Sequence, residues 1–555
     1  GAMLQGHLLL LTQATLSIMM LGTRAKHIVA FGGMMKSHHI SMVPLIEGLQ
    51  ERGHEISFVM PNTTEARAYF PKGIGKTNMV FLGQDDWAFD KLFSGDDVDM
   101  KNMNWFQKII AIAKILWNYR AMLEKPMFSM HIDLLKYIKT PGIDAIILHM
   151  ASFGSMPVVA ASGIPWISFM SAPPVPTLVI QGDNVACRYP NMLNPPSVEE
   201  LKASLLARVK NQMVCLFLNG YTAIAIHEIN ALFAGKDLPQ IEGNFASFLV
   251  GGVPAIIAVG GPPLAMKVRL PKTMHLVGSV EKAKPSAVPS ELLAWLDAAK
   301  SSEAPVVYVS MGTKYELTTS SCSKLVALFG NMIATFSVRI LWSLRASQQE
   351  KLREHLPSQG TDIRIEKFTP QPEVLSHSAV RIFLSHCGWG GVTDTIGAGV
   401  PVLGYPGMSE QFMNAMMLAE AGAGIVLKED FSNLLEGTEL LLKDASYATA
   451  AKKAGEALRS YGGLDRALEI IEGMADGKPL EPRAHMHAMM NDVDPFFDKP
   501  QVTEEWISLG VFLLIGLILV GLIICCCGCC CRCCCGFCGV GRASAGPSAA
   551  KTKKT

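Results

Sequence analysis

Charge is what this chain of 555 residues has least of: acids and bases make up 17% of it and cancel to a formal net of +1. So neutral a surface offers no basic field to a polyanion, which excludes nucleic acid as a partner. Hydrophobic residues reach 49%, so a large core is easily built, and the balance points to a neutral, apolar partner. Cysteine is scarce across the body. Of 14 in all, ten crowd between Cys525 and Cys538; the others, Cys187, Cys215, Cys322 and Cys387, do not suggest a disulfide framework. Neither half of the chain shows Gly-x-Gly-x-x-Gly after its first strand, which argues against a nicotinamide dehydrogenase. Asp-Val-Asp at Asp97 to Asp99 and again at Asp492 to Asp494 mimics a metal-binding motif. Neither follows a strand that could head a nucleotide site, so both read as solvated loops and no metal is expected.

What is there is a repeated alternation. "HIVAFGG", "HEISFVMP", "DAIILHM" and "PWISFMS" read as strands in the first half, with an amphipathic helix from Met42 to Gln50. "PVVYVSMG", "VRILWSLR", "IRIEKF", "RIFLSHCG" and "VPVLGYP" continue the pattern in the second half, with helical stretches between them. Strands alternating with helices imply a parallel sheet covered on both faces. The segment "SVEKAKPSAVPSELL" between the halves is rich in Pro, Ser and Lys and reads as a surface linker.

The most informative stretch is "FLSHCGWGGVTDTIGAGVPVLGYPGMSEQ", Phe383 to Gln411. Val380 to Leu384 is a short buried strand, Val392 to Ala398 a helix and Val400 to Tyr405 the next strand. Gly388, Gly390 and Gly391 let the backbone between them turn tightly and approach a ligand. Such a loop presents backbone N–H groups and the positive end of a helix dipole to an anion, most often a phosphate. His386 stands at the strand's end, where open parallel sheets collect ligands. Asp394 lies near the start of the helix, where a carboxylate can accept from sugar hydroxyls.

Together with "FTPQPEVLSHSAVRIFLSHCGWGGVTD" and "GVPVLGYPGMSEQFMN", this segment resembles the signature of the UDP-dependent glycosyltransferases. The resemblance implies an α/β protein of the GT-B fold, two facing Rossmann-like domains with a cleft between them. By position it implies that Phe368 stacks on uracil and Gln371 lies beside base and ribose. His386, Gly388, Trp389, Gly390 and Gly391 then meet the diphosphate, and Asp394 the ribose. Glu410 and Gln411 meet the sugar, and Thr313 in "VVYVSMGT" belongs to a second phosphate loop. Gly390 stands where many members have Asn.

In the first half, "SHHISMVPLIEGLQERGHE" resembles the animal members, and this gives His38 the role of general base toward an acceptor hydroxyl. The other reading of His38 is a helix cap. His39 reads as packing or pocket lining and His54 as structural. In the family an Asp orients the base; His149 occupies its place here, while Asp144 lies five residues earlier, at the strand's other end. A neutral His149 could hold the tautomer of His38 through a hydrogen bond, but it brings no negative charge. The Met-rich, apolar stretch from Asn104 to Leu135 reads as core helices or as the lining of an apolar acceptor pocket.

Both ends look membrane-directed. Leu8 to Gly22 resembles a secretory signal, and Trp506 to Cys527 holds 22 uncharged residues, enough to span a bilayer. Arg532, Arg542, Lys551, Lys553 and Lys554 place the tail in the cytoplasm, and "KTKKT" resembles a dilysine retrieval signal. The tail cysteines suggest palmitoylation, with metal binding the alternative. Asn62-Thr63-Thr64 is a glycosylation sequon. The divisions expected are a signal (1–25), acceptor domain (26–277), linker (278–303), UDP-sugar domain (304–470), membrane-proximal segment (471–504), span (505–527) and tail (528–555).

The expectation is therefore a single-pass membrane enzyme of the endoplasmic reticulum with a lumenal body. It moves a hexose from UDP-glucose, with UDP-glucuronate the alternative, to a hydroxyl of a small lipophilic acceptor. It needs no cofactor beyond that co-substrate, and a homo-oligomer is left open. The rival of another class is a non-catalytic UDP-sugar- or lipid-binding membrane protein.

Overall fold

The computed structural model describes residues 25–33, 36–83, 126–150, 152, 155–174, 187–190, 196–235, 240–241, 252–280, 286–312, 316–407, 410–481, 483–498, 507 and 510. Thr313, Asp97 to Asp99, residues 104–125, the signal segment and the cysteine-rich tail lie outside them. So does the apolar span Trp506 to Cys527, apart from Ile507 and Gly510. Among the described residues no helix is long and apolar enough to cross a membrane.

Two parallel sheets carry the fold. The first holds β1 (His27–Phe31), β2 (Glu55–Pro61), β3 (Asn78–Leu82), β4 (Ala145–His149), β5 (Trp166–Met170), β6 (Ile256–Val259) and β7 (Met274–Gly278). Their order is β3-β2-β1-β4-β5-β6-β7. The second holds β8 (Val306–Ser310), β9 (Arg339–Ser343), β10 (Ile363–Glu366), β11 (Val380–Ser385), β12 (Val402–Gly404) and β13 (Gly424–Val426), in the order β10-β9-β8-β11-β12-β13. Every β4, β5 and β8 residue is buried, which is why these strands read as near-continuous apolar runs: helices cover both faces. In each sheet the strand order reverses beside the first strand, between β1 and β4 and between β8 and β11. Ligands of open parallel sheets gather at the carboxyl ends of strands at such a reversal.

The strands expected from the sequence are present, and β3, β6, β7 and β13 are added to them. The helix expected from Met42 runs from Lys36 to Glu51 with Pro44 inside it, so His38 sits in its first turn. The linker reading needs correcting. Residues Ser290–Ser301 form a helix whose Leu292, Leu296 and Ala299 bury against Tyr308 and Phe383 of the second sheet.

The reading of the body cysteines is also corrected, because Cys187 and Cys215 form a disulfide. The helix Leu205–Phe233 brings Cys215 to the segment 187–190, and its Asn211 donates Nδ2 hydrogens to the carbonyls of Cys187 (2.9 Å) and Tyr189 (2.7 Å). Cys322 and Cys387 are free and buried.

After the second sheet the chain returns to the first. The helix Gly463–Ala475, inside which the expected boundary at residue 470 falls, packs on the helix Lys36–Glu51. The contact is so close that a Cβ on Gly48 would lie 2.7 Å from Leu468. Arg52 pairs with Glu472 (2.8 Å) and Asp465 (3.1 Å), and Lys26 pairs with Asp476 (3.2 Å). His54, as expected, is structural: its Nε2 lies 3.0 Å from Glu472 and its Nδ1 accepts from the Lys26 backbone. The helix that carries His38 is thereby fixed to the returning helix Gly463–Ala475. Asp492 and Asp494 are tied down rather than merely solvated, paired with Lys267 (3.3 Å) and Lys202 respectively.

Candidate functional site

The second sheet's reversal builds a glycine-walled cradle. β11 ends at Ser385, and His386 follows it directly. The imidazole is wedged between two loops: a Cβ on Gly312 would lie 2.5 Å from its Nε2, and one on Gly388 2.6 Å. Only glycine lets both backbones come so close, and Gly312 also holds φ +71°. Burial lowers the His386 pKa to about 4, against a smaller opposing pull from the Ser310 backbone, so the ring is neutral at pH 7. Its Nδ1 is buried without a hydrogen-bond partner among the described residues.

Gly388 caps the helix Trp389–Ala398 with no side-chain bond, so the first N–H groups of that helix remain for an anion. Cys387 packs as expected of a small buried residue. Its thiol is pushed up to about 12 by burial, and its carbonyl accepts from Asn414 Nδ2 (2.9 Å). Around Gly390 nothing lies within 4 Å of a Cβ, so the site has room for the larger residue that many relatives carry there.

Beside the cradle, Gln371 and Asp394 come together: Gln371 Nε2 donates to Asp394 Oδ2 at 2.8 Å. The Tyr308 hydroxyl holds the other end of Gln371, donating to Oε1 at 3.3 Å, and it lies 2.7 Å from Thr369 Oγ1. Tyr308 and Thr369 were not anticipated. The apolar run "VVYVS" gives no sign that its tyrosine reaches across to the β10–β11 connection. Phe368 is 80% exposed among the described residues, an apolar ring open to stacking by a planar base. Replacing Phe368 by Ala should weaken UDP binding about fivefold, roughly the 1 kcal/mol of one aromatic stack, and leave thermal stability unchanged. Titration calorimetry checks both the affinity and, through the fitted stoichiometry, the folded fraction.

The sugar-side pair is less open than expected. Gln411 is buried and its Oε1 accepts from the Gly407 backbone at 2.9 Å, so this side chain shapes its own loop. Glu410, half-buried at the head of the helix Gln411–Glu420, is the freer of the two to meet a ligand.

The first sheet's reversal brings His38 and His149 together, but not by the expected bond. Their rings stack face to face, centroids 4.4 Å apart and planes 19° from parallel. An N–H···N bond needs the donor to point in-plane at the acceptor, so stacked rings cannot make one. His149 Nε2 instead lies 2.8 Å from Ser171 Oγ. His38 Nδ1 is buried with no hydrogen-bond partner among the described residues. Burial and the neighbouring His39 bring the His38 pKa down to about 4; burial, His38 and His39 hold His149 well below the usual range. His39 packs beneath, edge-on to Phe58 at 5.7 Å. Asp144 bonds the His27 N–H (2.8 Å) at the opposite end of β4, where it cannot serve His38. In the sequon, Asn62 donates to the Gly83 carbonyl (3.2 Å) and accepts from Arg67 Nε (3.0 Å), so its amide is already engaged.

A sequence profile described as "UDP-glucoronosyl and UDP-glucosyl transferase" matches residues 28–455. Among curated proteins, a beta-D-glucosyl crocetin beta-1,6-glucosyltransferase of Gardenia jasminoides is 29% identical over 243 residues, 42% of this chain and 50% of that protein. A cyanidin-3-O-glucoside 2-O-glucuronosyltransferase of Bellis perennis is 30% identical over 211 residues, 36% of this chain and 44% of its own. This chain therefore spans about half the length of the curated relatives it matches. Among solved structures, a UDP-glucose: anthocyanidin 3-O-glucosyltransferase in complex with UDP aligns with TM-score 0.54 and 15% identity, over 82% of this chain and 100% of that one. The two parallel sheets are thus those of the GT-B fold.

Proposed function

This chain belongs to the UDP-glucuronosyl and UDP-glucosyl transferase family, and from that premise we propose that it moves a hexose from a UDP-sugar to an oxygen of a small lipophilic acceptor. The observation that carries the reading is the His386 ring held between Gly312 and Gly388 at the open head of a helix. Such a cradle suits a diphosphate: backbone N–H groups and a helix dipole meet its charge, and the stabilisation grows as UDP leaves. The bonded pair Gln371 and Asp394 supports a ribose contact beside the cradle, and the exposed Phe368 ring suits stacking on the base. The acceptor oxygen attacks the anomeric carbon from the His38 side as the bond to the β-phosphate breaks, so the configuration inverts.

UDP-glucose is the preferred donor. The stretches 386–396 and 405–413 contain no Lys or Arg to pair with a glucuronate carboxyl. UDP-glucuronate is the second reading, and one relative is named for that transfer. The Cys187–Cys215 disulfide supports a body housed in an oxidising lumen, with Trp506 to Cys527 as the anchor proposed for it. Membranes containing the full chain should release UDP from UDP-glucose in the presence of pooled phenols, sterols, fatty alcohols and fatty acids. Release from UDP-glucuronate alone would exchange the two donors. No release from any UDP-sugar, with UDP still bound, would favour the non-catalytic rival.

A further inference from the structure

Resting on the transferase reading, we infer that His38 acts toward the acceptor as a hydrogen-bond donor rather than a base, and that the acceptors it suits are carboxylates. His38 Nδ1 is buried and has no hydrogen-bond partner among the described residues. A buried orphan N–H is rarer in folded proteins than a buried orphan acceptor, so the proton belongs on Nε2. Of the two ring nitrogens only Nδ1 is buried without a partner, so Nε2 is the one left to meet an acceptor. An Asp at position 149 would have reversed this, drawing an N–H onto Nδ1 and leaving a lone pair on Nε2. The stacked His149 offers a ring face at 4.4 Å and turns its own Nε2 to Ser171, so it exerts no such pull.

An outward N–H cannot take a proton from an alcohol. A proton added at Nδ1 would be buried beside the face of a second imidazole, and burial already disfavours the charged form of both rings. A carboxylate removes the need for a base because it arrives without its proton at neutral pH. One carboxylate oxygen accepts from His38 Nε2–H and the other forms the bond to the anomeric carbon. The bond from that carbon to the β-phosphate oxygen breaks, and its electron pair leaves with UDP. No proton changes hands, and the product is a glycosyl ester. A protonated amine is disfavoured by the same N–H.

The test uses full-length protein in membranes, UDP-glucose, and three acceptors on one skeleton: 2-naphthoic acid, 2-naphthalenemethanol and 2-naphthylmethylamine. Wild type should show kcat/KM at least tenfold higher for the acid than for the alcohol or the amine. His38→Leu should cost the acid at least fiftyfold, and His38→Gln, which restores an N–H but no basic nitrogen, should recover at least tenfold of that loss. His149→Asp should raise the alcohol rate at least tenfold. A wild-type preference for the alcohol or the amine would overturn the inference and leave the transferase reading intact, as would His38→Gln being as poor as His38→Leu. Transfer to none of the three, with UDP-glucose bound normally, would overturn the transferase reading and this inference with it.

Discussion

Replacing Gly312 by Ala should weaken UDP binding at least fiftyfold, by about 2.3 kcal/mol. The new Cβ would lie 2.5 Å from both Cε1 and Nε2 of His386, so the imidazole has to leave its slot. The residue also holds φ +71°, where a side chain adds strain of roughly 1–2 kcal/mol. The two effects part in measurement. Strain lowers the unfolding midpoint modestly, while displacement of His386 shows in UDP affinity. An unchanged Kd would mean that the cradle is not where the diphosphate sits.

Acidification should destabilise the protein well before its carboxylates titrate. His131 is buried in the helix Pro126–Ile138, with Nδ1 3.1 Å from Ser155 Oγ, and burial lowers its pKa to about 4 from 6.5. A depressed folded pKa means that the unfolded chain takes up the proton first. The stability is complete above pH 6.5 and is lost as pH falls toward 4. For His131 the loss between pH 7.5 and 5 is about 2 kcal/mol. His386 and His38, lowered to about 4 by burial in the same way, act in the same direction, less strongly because both rings are partly exposed. Urea unfolding at pH 7.5, 6.5, 5.5 and 5 measures this. His131→Gln, which keeps a partner for Ser155, should flatten the slope, and a wild-type stability that is level from pH 7 to 5 would contradict the burial account.

What the sequence disclosed follows the range of the physics involved. β8 stood out because a doubly covered strand is a near-continuous apolar run, β11 because only the exposed Arg381 interrupts one, and the His386 loop because its strand, glycines and helix are consecutive. β12 and β13, three residues each, are too short to carry a period, which left β13 unseen and β12 bracketed too widely. β6 and β7 are short apolar runs set among Gly and Pro, whose turn signals mask them. The bond between Gln371 and Asp394 joins residues 23 apart, and only the positions borrowed from relatives hinted at it. The pairing of Cys187 with Cys215, 28 residues apart, depends on how the helix Leu205–Phe233 lies over the segment before it. The juxtaposition of His38 and His149 came only from the resemblance, which puts His149 in the place of the Asp that orients the base; the structure realises it because β1 and β4 are neighbours at the reversal. Whether the rings meet edge to edge or face to face is set by side-chain rotamers, about which sequence spacing says nothing.

The central claim, in-line transfer from a UDP-sugar to an acceptor on the His38 side, is tested most directly by the stereochemistry of the product. Proton NMR of a reaction with UDP-glucose, whose glucose is α-linked, should show the acceptor carrying glucose with the large axial–axial anomeric coupling of a β-linkage as UDP accumulates. An α-linked product, or consumption of UDP-glucose to free glucose with no acceptor modified, would contradict the account.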